Sequence, residues 1–231
     1  MTRILFGILK WTLGTFIVST LLAVVLFKFM PVWFTPLMFI RCYEQSANGE
    51  EMKLRHRWIS LEEMPEDMPR AVIASEDSRY MKHHGFDFEA IQSAAKHNMH
   101  SKTKHGASTI SQQTAKNVFL WPGRSWLRKG LEMYFTVLIE FIWGKERIME
   151  VYLNSIEMGD GIYGVAAVAK YHFDKSPKDL TRRDCALIAV TLPNPRKFSS
   201  QHPSDYMLKR QRRISHDIKF VNWKKEQNTD K

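Results

Sequence analysis

The chain has 231 residues, 44% hydrophobic and 12% aromatic, enough for one ordinary domain plus an anchor and too few for a second large catalytic domain, since domains typically run to about 100–200 residues. Its formal charge of +10 points to an anionic partner, and the lack of a zinc finger, basic zipper or aromatic RNA-binding signature weighs against nucleic acid. Two distant cysteines, Cys42 and Cys185, make no disulfide framework, and the nine histidines follow no common zinc spacing.

Residues 11–27 carry no charge, and extension to Met30, with Lys28 snorkelling, gives the roughly 20 residues that cross a bilayer. No small-residue cleavage site follows the run, so it reads as an anchor over residues 11–30 rather than a signal peptide. Residues 1–10 form a short tail before it. Charges flank both sides, and the positive-inside rule gives little guidance on orientation. Residues 31–40, rich in Trp, Phe and Met but broken by Pro31 and Pro36, suit a segment lying at the interface, the start of a linker over residues 31–60.

From residue 61 to 222 the pattern is helical, with few strand signals and no βαβ alternation, which predicts a mainly α domain. Pro69 can open a helix ending near Glu76. Asp87 can cap another, with Phe88, Ile91 and Ala95 on its buried side. Thr109 and Gln112 make a T-x-x-Q capping box whose helix start offers backbone N–H groups to a phosphate or oxyanion. Ser125 precedes a core helix carrying Leu127, Leu131, Tyr134, Phe135, Leu138 and Ile142 up to Gly144. Ser176/Asp179 and Thr181/Asp184 announce two short helices before the stop at Pro193 and Pro195. The polar stretch 223–231 reads as a disordered tail.

Four constellations carry chemistry. Glu76-Asp77 follow an apolar helix and precede Gly85, so partial desolvation can raise a carboxylate pKa toward that of a general base; an acidic turn is the plainer alternative. On the helix after Thr109, Gln112 and Lys116 share one face and Gln113 and Asn117 another, which equally suits a capped surface helix. Arg128, Lys129 and Glu132 form either a surface ion pair or a cationic clamp with a carboxylate beside it. Lys145 to Asn154 presents Ile148, Val151 and Tyr152 for packing, before a polar turn at Glu157, Gly159, Asp160 and Gly161.

In order, the four read E-D-x-x-(F/Y)-x-x-H-x-G, G-x-S-T-I-x-Q-Q-x-x-K-N, R-K-x-x-E and K-x-x-I-x-E-x-Y-L-N, all between Glu76 and Asn154. This resembles the glycosyltransferase domain of bacterial peptidoglycan polymerases, and with no room for a transpeptidase it is most similar to the monofunctional biosynthetic transglycosylases. Tyr80 stands where that family more often has Phe, and Tyr171-His172-Phe173 where Tyr-Phe is usual.

The resemblance implies a lysozyme-like, mainly helical fold, an anchor with its N-terminus in the cytoplasm and a catalytic domain in the periplasm. It implies lipid II and the nascent glycan strand as substrates, with cell-wall synthesis or division proteins as further partners. It also implies an inverting transfer that makes β-1,4 bonds and releases polyprenyl pyrophosphate. By motif match Glu76 is the general base and Asp77 its support. Lys116, Arg128 and Lys129 hold the pyrophosphate, and Glu132 orients them or helps bind a divalent cation, Mg by expectation. Ser108, Thr109, Gln112 and Gln113 shape the sugar and phosphate pocket, with Lys145, Tyr152 and Asn154 as further binding candidates. A lytic muramidase on the same fold and a silent membrane scaffold are the competing readings.

Overall fold

The computed structural model describes residues 2–101 and 106–223, so the expected tail 223–231 lies, but for Trp223, outside the described residues. Ten α-helices and three very short strands are present among the described residues. The first, α1, spans Thr2–Phe29; at 28 residues it is about 42 Å long, enough to cross a membrane. It starts well before the uncharged run because Lys10 and Arg3 favour a helix as well as their neighbours do. Helix α2 (Pro36–Ala47) begins within the expected interfacial segment, with Thr35 as N-cap and Pro36 in the first turn, where its missing N–H leaves no bond unmade.

The C-terminal end of α1 is fastened to the rest of the chain. Trp143 Nε1 donates to the Val24 carbonyl at 2.7 Å, and the Arg147 guanidinium donates to Phe27 O at 2.8 Å and Met30 O at 2.5 Å. Phe27 O is one of the last carbonyls of α1, which have no intrahelical N–H partner, and one guanidinium satisfies it together with Met30 O just beyond the helix. Higher up, Tyr134 and Thr20 hydroxyls meet at 2.8 Å.

The helical domain is built from α3 (Asp67–Glu76), α4 (Phe88–His100), α5 (Ile110–Phe119), α6 (Trp126–Ile142), α7 (Lys145–Ser155), α8 (Gly164–Phe173), α9 (Arg182–Thr191) and α10 (Asp205–Asp217). The core lies where α3, α5, α7, α8 and α9 meet, around Ile73, Tyr80, Ile110, Ile148, Tyr152, Val168 and Ile188, all buried. The local caps form as expected: Asp87, Thr109, Ser125 and Thr181 each accept from a backbone N–H in the first turn, and Gln112 and Asp184 complete capping boxes.

Several expectations are corrected. Helix α3 starts at Asp67, two residues before Pro69, whose ring still falls within the first turn. Helix α4 buries no residue, and Phe88 is 75% exposed, because an amphipathic stripe marks an apolar face without supplying a partner to cover it. Helix α6 is only half a core helix: Phe135 and Ile139 are buried, while Trp126, Leu127, Val137 and Phe141 stand exposed on its other side. Ser176 makes no cap, and only a 3₁₀ turn, Pro177–Asp179, follows it.

The sequence reading also missed a small sheet, β1 (Arg55–His56), β3 (Ile162–Tyr163) and β2 (Glu157–Gly159), in the order β1-β3-β2 with β1 parallel and β2 antiparallel to β3. Strands this short lack a readable alternation. The hairpin between β2 and β3 turns at Gly161, φ +66°, where any Cβ would lie 2.3 Å from the Lys53 carbonyl oxygen. Asn154 at the end of α7 pins the strand side: its Oδ1 accepts from Ile59 N at 3.0 Å and its Nδ2 donates to Ile59 O at 2.9 Å.

Candidate active site

Glu76 and Asp77 end α3, and the turn that follows folds back onto the start of α5. Asp77 is buried; its Oδ2 accepts from Ile110 N at 2.9 Å, and its carboxylate meets His83 Nε2 at 2.9 Å. Gly85, at φ +90°, lies against Thr136 and Glu140 so closely that a Cβ would sit 2.9 Å from Thr136 Cγ2, and its carbonyl accepts from Thr109 Oγ1 at 2.6 Å. The first two motifs are thereby one folded unit. The helix start expected to receive a phosphate is taken instead by an anion of the chain: Asp77 holds Ile110 N–H and Thr109 Oγ1 holds Gln112 N–H. Thr109 and Gln112 are buried and engaged in this cap.

Glu76 is half-buried and held at both oxygens. Gln113 Nε2 donates to Oε2 at 3.3 Å and Ser75 Oγ to Oε1 at 3.1 Å, while Tyr152, fully buried, donates from its hydroxyl to Gln113 Oε1 at 3.1 Å. Burial pushes the Glu76 carboxyl above its ordinary value, opposed by the hydrogen bonds from Gln113 and Ser75 and by Arg210. A half-desolvated carboxylate is a stronger proton acceptor than an exposed one, and donors on both oxygens hold it in place.

One turn along α5 from Gln113, Lys116 opens the cationic side. Glu132, 4% exposed, binds Arg128 through one oxygen, at 2.7 Å, and Lys129 through the other. Burial lowers the Lys116 pKa, with Arg128 and Lys129 pushing the same way and Glu132 opposing them. Among the described residues no three His, Cys, Asp or Glu side chains come together as metal ligands. Both Glu132 oxygens are engaged by cations of the chain itself.

A cleft of about 560 Å³ runs beside this cluster, lined by Ser108, Gln113, Lys116, Asn117, Arg124 and Arg128 on one side. Arg41 of α2, Glu157, Asn194 and Arg196 line the other. Five cations against one carboxylate make it an anion-seeking surface. Glu76 does not line the cleft itself but meets it through Gln113. Lys129 stays on Glu132 beside it. Lys145 and Asn154 lie off the cleft: Lys145 Nζ pairs with Glu140 at 2.7 Å, and Asn154 ties α7 to the Ile59 backbone. A separate cavity of about 500 Å³ between β1 and α8 contains none of the motif residues.

Six polar cleft residues, Arg41, Asn117, Arg124, Glu157, Asn194 and Arg196, were not among the expected site residues. Arg124, in the turn between α5 and α6, was readable as a cation flanked by Lys116 and Arg128. Asn117, 3% exposed with no partner for its Nδ2 among the described residues, closes the second motif and presents a buried donor to the cleft. Arg41, Glu157 and Arg196 come from segments far apart in sequence, and no local pattern marks them as parts of one cleft.

The transglycosylase family profile matches residues 44–219. A Bacteroides thetaiotaomicron protein named biosynthetic peptidoglycan transglycosylase is 59% identical over 199 residues, covering 86% of this chain and 80% of its own length. Proteins of the same name from Bdellovibrio bacteriovorus and Pseudomonas fluorescens SBW25 are 55% identical over 209 residues (89% of this chain, 83% of theirs) and 46% identical over 214 residues (91% and 88%).

Proposed function

The chain belongs to the biosynthetic peptidoglycan transglycosylase family and is accordingly a peptidoglycan glycosyltransferase of the inner membrane, and we propose that it polymerises lipid II into β-1,4 glycan with inversion. In this reading the acceptor 4-hydroxyl gives its proton to Glu76 as its oxygen bonds to the anomeric carbon of the growing strand. The bond from that carbon to the phosphate oxygen breaks on the opposite face, and polyprenyl pyrophosphate leaves as an anion. Such a leaving group needs charge stabilisation more than a proton. Lys116, Arg124 and Arg128 supply it, Arg128 held by Glu132, and Asn117 offers a further donor. Asp77 acts by fixing the α3 end to α5, and Tyr152 by orienting Gln113.

The observation that carries the proposal is the pairing, through Gln113, of a half-buried carboxylate with a cation-lined cleft. A muramidase must protonate a poor sugar leaving group and gains nothing from such a lining. The membrane-spanning α1 also supports a lipid-borne substrate, and in this reading the N-terminus lies in the cytoplasm and the domain in the periplasm. The Thr20–Tyr134 contact lies about ten residues, or ~15 Å, inside the α1 end, so the exposed apolar side of α6 stands beside the apolar part of the anchor.

The test is to incubate the full-length protein in detergent micelles with lipid-linked disaccharide and, separately, with insoluble cell wall. Polymer and released polyprenyl pyrophosphate are expected from the first and no soluble fragments from the second. Fragments without polymer contradict the proposal.

A further inference from the structure

Glu76 is approached from a side that none of the four motifs covers. Arg210, on α10, donates from Nη2 to Ser75 Oγ at 3.4 Å, and Ser75 Oγ donates on to Glu76 Oε1 at 3.1 Å. The two carboxylate oxygens are thus reached by two relays of the same form, Tyr152 through Gln113 to Oε2 and Arg210 through Ser75 to Oε1. A serine hydroxyl has one proton, and Ser75 has two acceptors for it: Glu76 Oε1 and, at 3.4 Å, the Ala189 carbonyl of α9. An arginine donating to the Ser75 lone pairs leaves that proton to the shorter contact.

We propose that Arg210 is a positioning residue for Glu76, acting through Ser75 Oγ to aim the carboxylate from the α10 side, so that α10 belongs to the catalytic machinery. The inference rests on Glu76 being the base. The groups around the carboxylate are Ser75 and Asp77 from its own segment, Gln113 from α5, Tyr152 from α7 and Arg210 from α10, with α9 contributing the Ala189 carbonyl to Ser75. Arg210 is the cation among them, and its charge opposes the upward push of burial on Glu76. It lines a cavity of about 500 Å³ between α3 and α10 that Ser75, Lys209, Arg213 and Asp217 share. Of these basic side chains, Arg210 is the one bonded to Ser75; Arg213 is turned to Asp217, 3.9 Å away.

The experiment measures polymerisation of lipid-linked disaccharide against pH for the full-length protein and for Arg210→Ala, Arg210→Lys, Ser75→Ala and Arg213→Ala, with thermal unfolding of each. Taking a cation or a donor away from a carboxylate raises its pKa, so the acid limb of kcat/KM moves to higher pH. A shift of about one unit is expected for Arg210→Ala, a smaller one in the same direction for Ser75→Ala, and partial return for Arg210→Lys. Arg213→Ala leaves the limb in place. A lowered rate with an unmoved limb in both Arg210→Ala and Ser75→Ala assigns α10 a packing role only and overturns the proposal. Glu76→Gln, run alongside, separates the two failures: if it polymerises normally, the base assignment falls, and if it is inactive while the Arg210 limb stays put, the relay alone falls.

Discussion

Replacing Glu132 with Gln keeps the side-chain shape and removes the charge that holds the cationic cluster. In the native chain this carboxylate is 4% exposed and binds Arg128 and Lys129, whose side chains are 11% and 38% exposed. Breaking a buried pair by neutralising one partner costs about 3–5 kcal/mol, and the more exposed Lys129 half is screened by water, so about 3 kcal/mol is expected. In a chain of this size that corresponds to a melting temperature lower by about 6–12 °C. The same change acts on Lys116, whose pKa burial, Arg128 and Lys129 already lower and which Glu132 supports. Without Glu132 the Lys116 pKa falls further, the ammonium is lost at lower pH, and the alkaline limb of polymerisation moves toward neutrality by about one unit. Thermal unfolding in micelles and a rate profile from about pH 6 to 10 measure both effects. An unchanged melting temperature together with an unmoved alkaline limb refutes the claim that Glu132 acts by holding the clamp.

Further outcomes follow from the contacts around Glu76 and the anchor. Gln113→Ala removes a donor from Glu76 and strands the buried Tyr152 hydroxyl; a hydrogen bond to a charged group is worth about 1.5–3 kcal/mol, so kcat should fall roughly tenfold to a hundredfold in single-turnover assays. Asp77→Ala leaves Ile110 N–H and His83 without their acceptor and should destabilise the fold by about 3 kcal/mol, read as a lower denaturation midpoint. Arg147→Ala frees the Phe27 and Met30 carbonyls, and hydrogen exchange at the end of α1 should speed up while α9 stays protected.

What the sequence made legible was mostly local. Caps at Asp87, Thr109, Ser125 and Thr181 depend on side chains within a turn of the backbone they bind, and a single chain displays that spacing. The α3 end at Glu76 and the Arg128–Glu132 pair were readable for the same reason. What remained hidden depends on contacts between distant segments. Nothing near Asp77 announces that it fills the α5 helix start, and nothing near Arg41 or Arg196 announces a cleft. The apolar residues of α4 and the outer side of α6 carry core-like periodicity, yet they face outward, because periodicity reports a face and not its partner. The four motifs assembled the candidate site in the sequence; Arg210 and Ser75 lie outside them and emerge only when α10 packs on α3.

The central claim is that Glu76 takes the acceptor proton beside a cation-lined cleft. Polymer formation by Glu76→Gln, in protein whose melting temperature matches the parent, tests it most directly. Near-complete loss of glycan with lipid-linked disaccharide still bound is the expected result; glycan made at the parent rate would mean that the proton goes elsewhere.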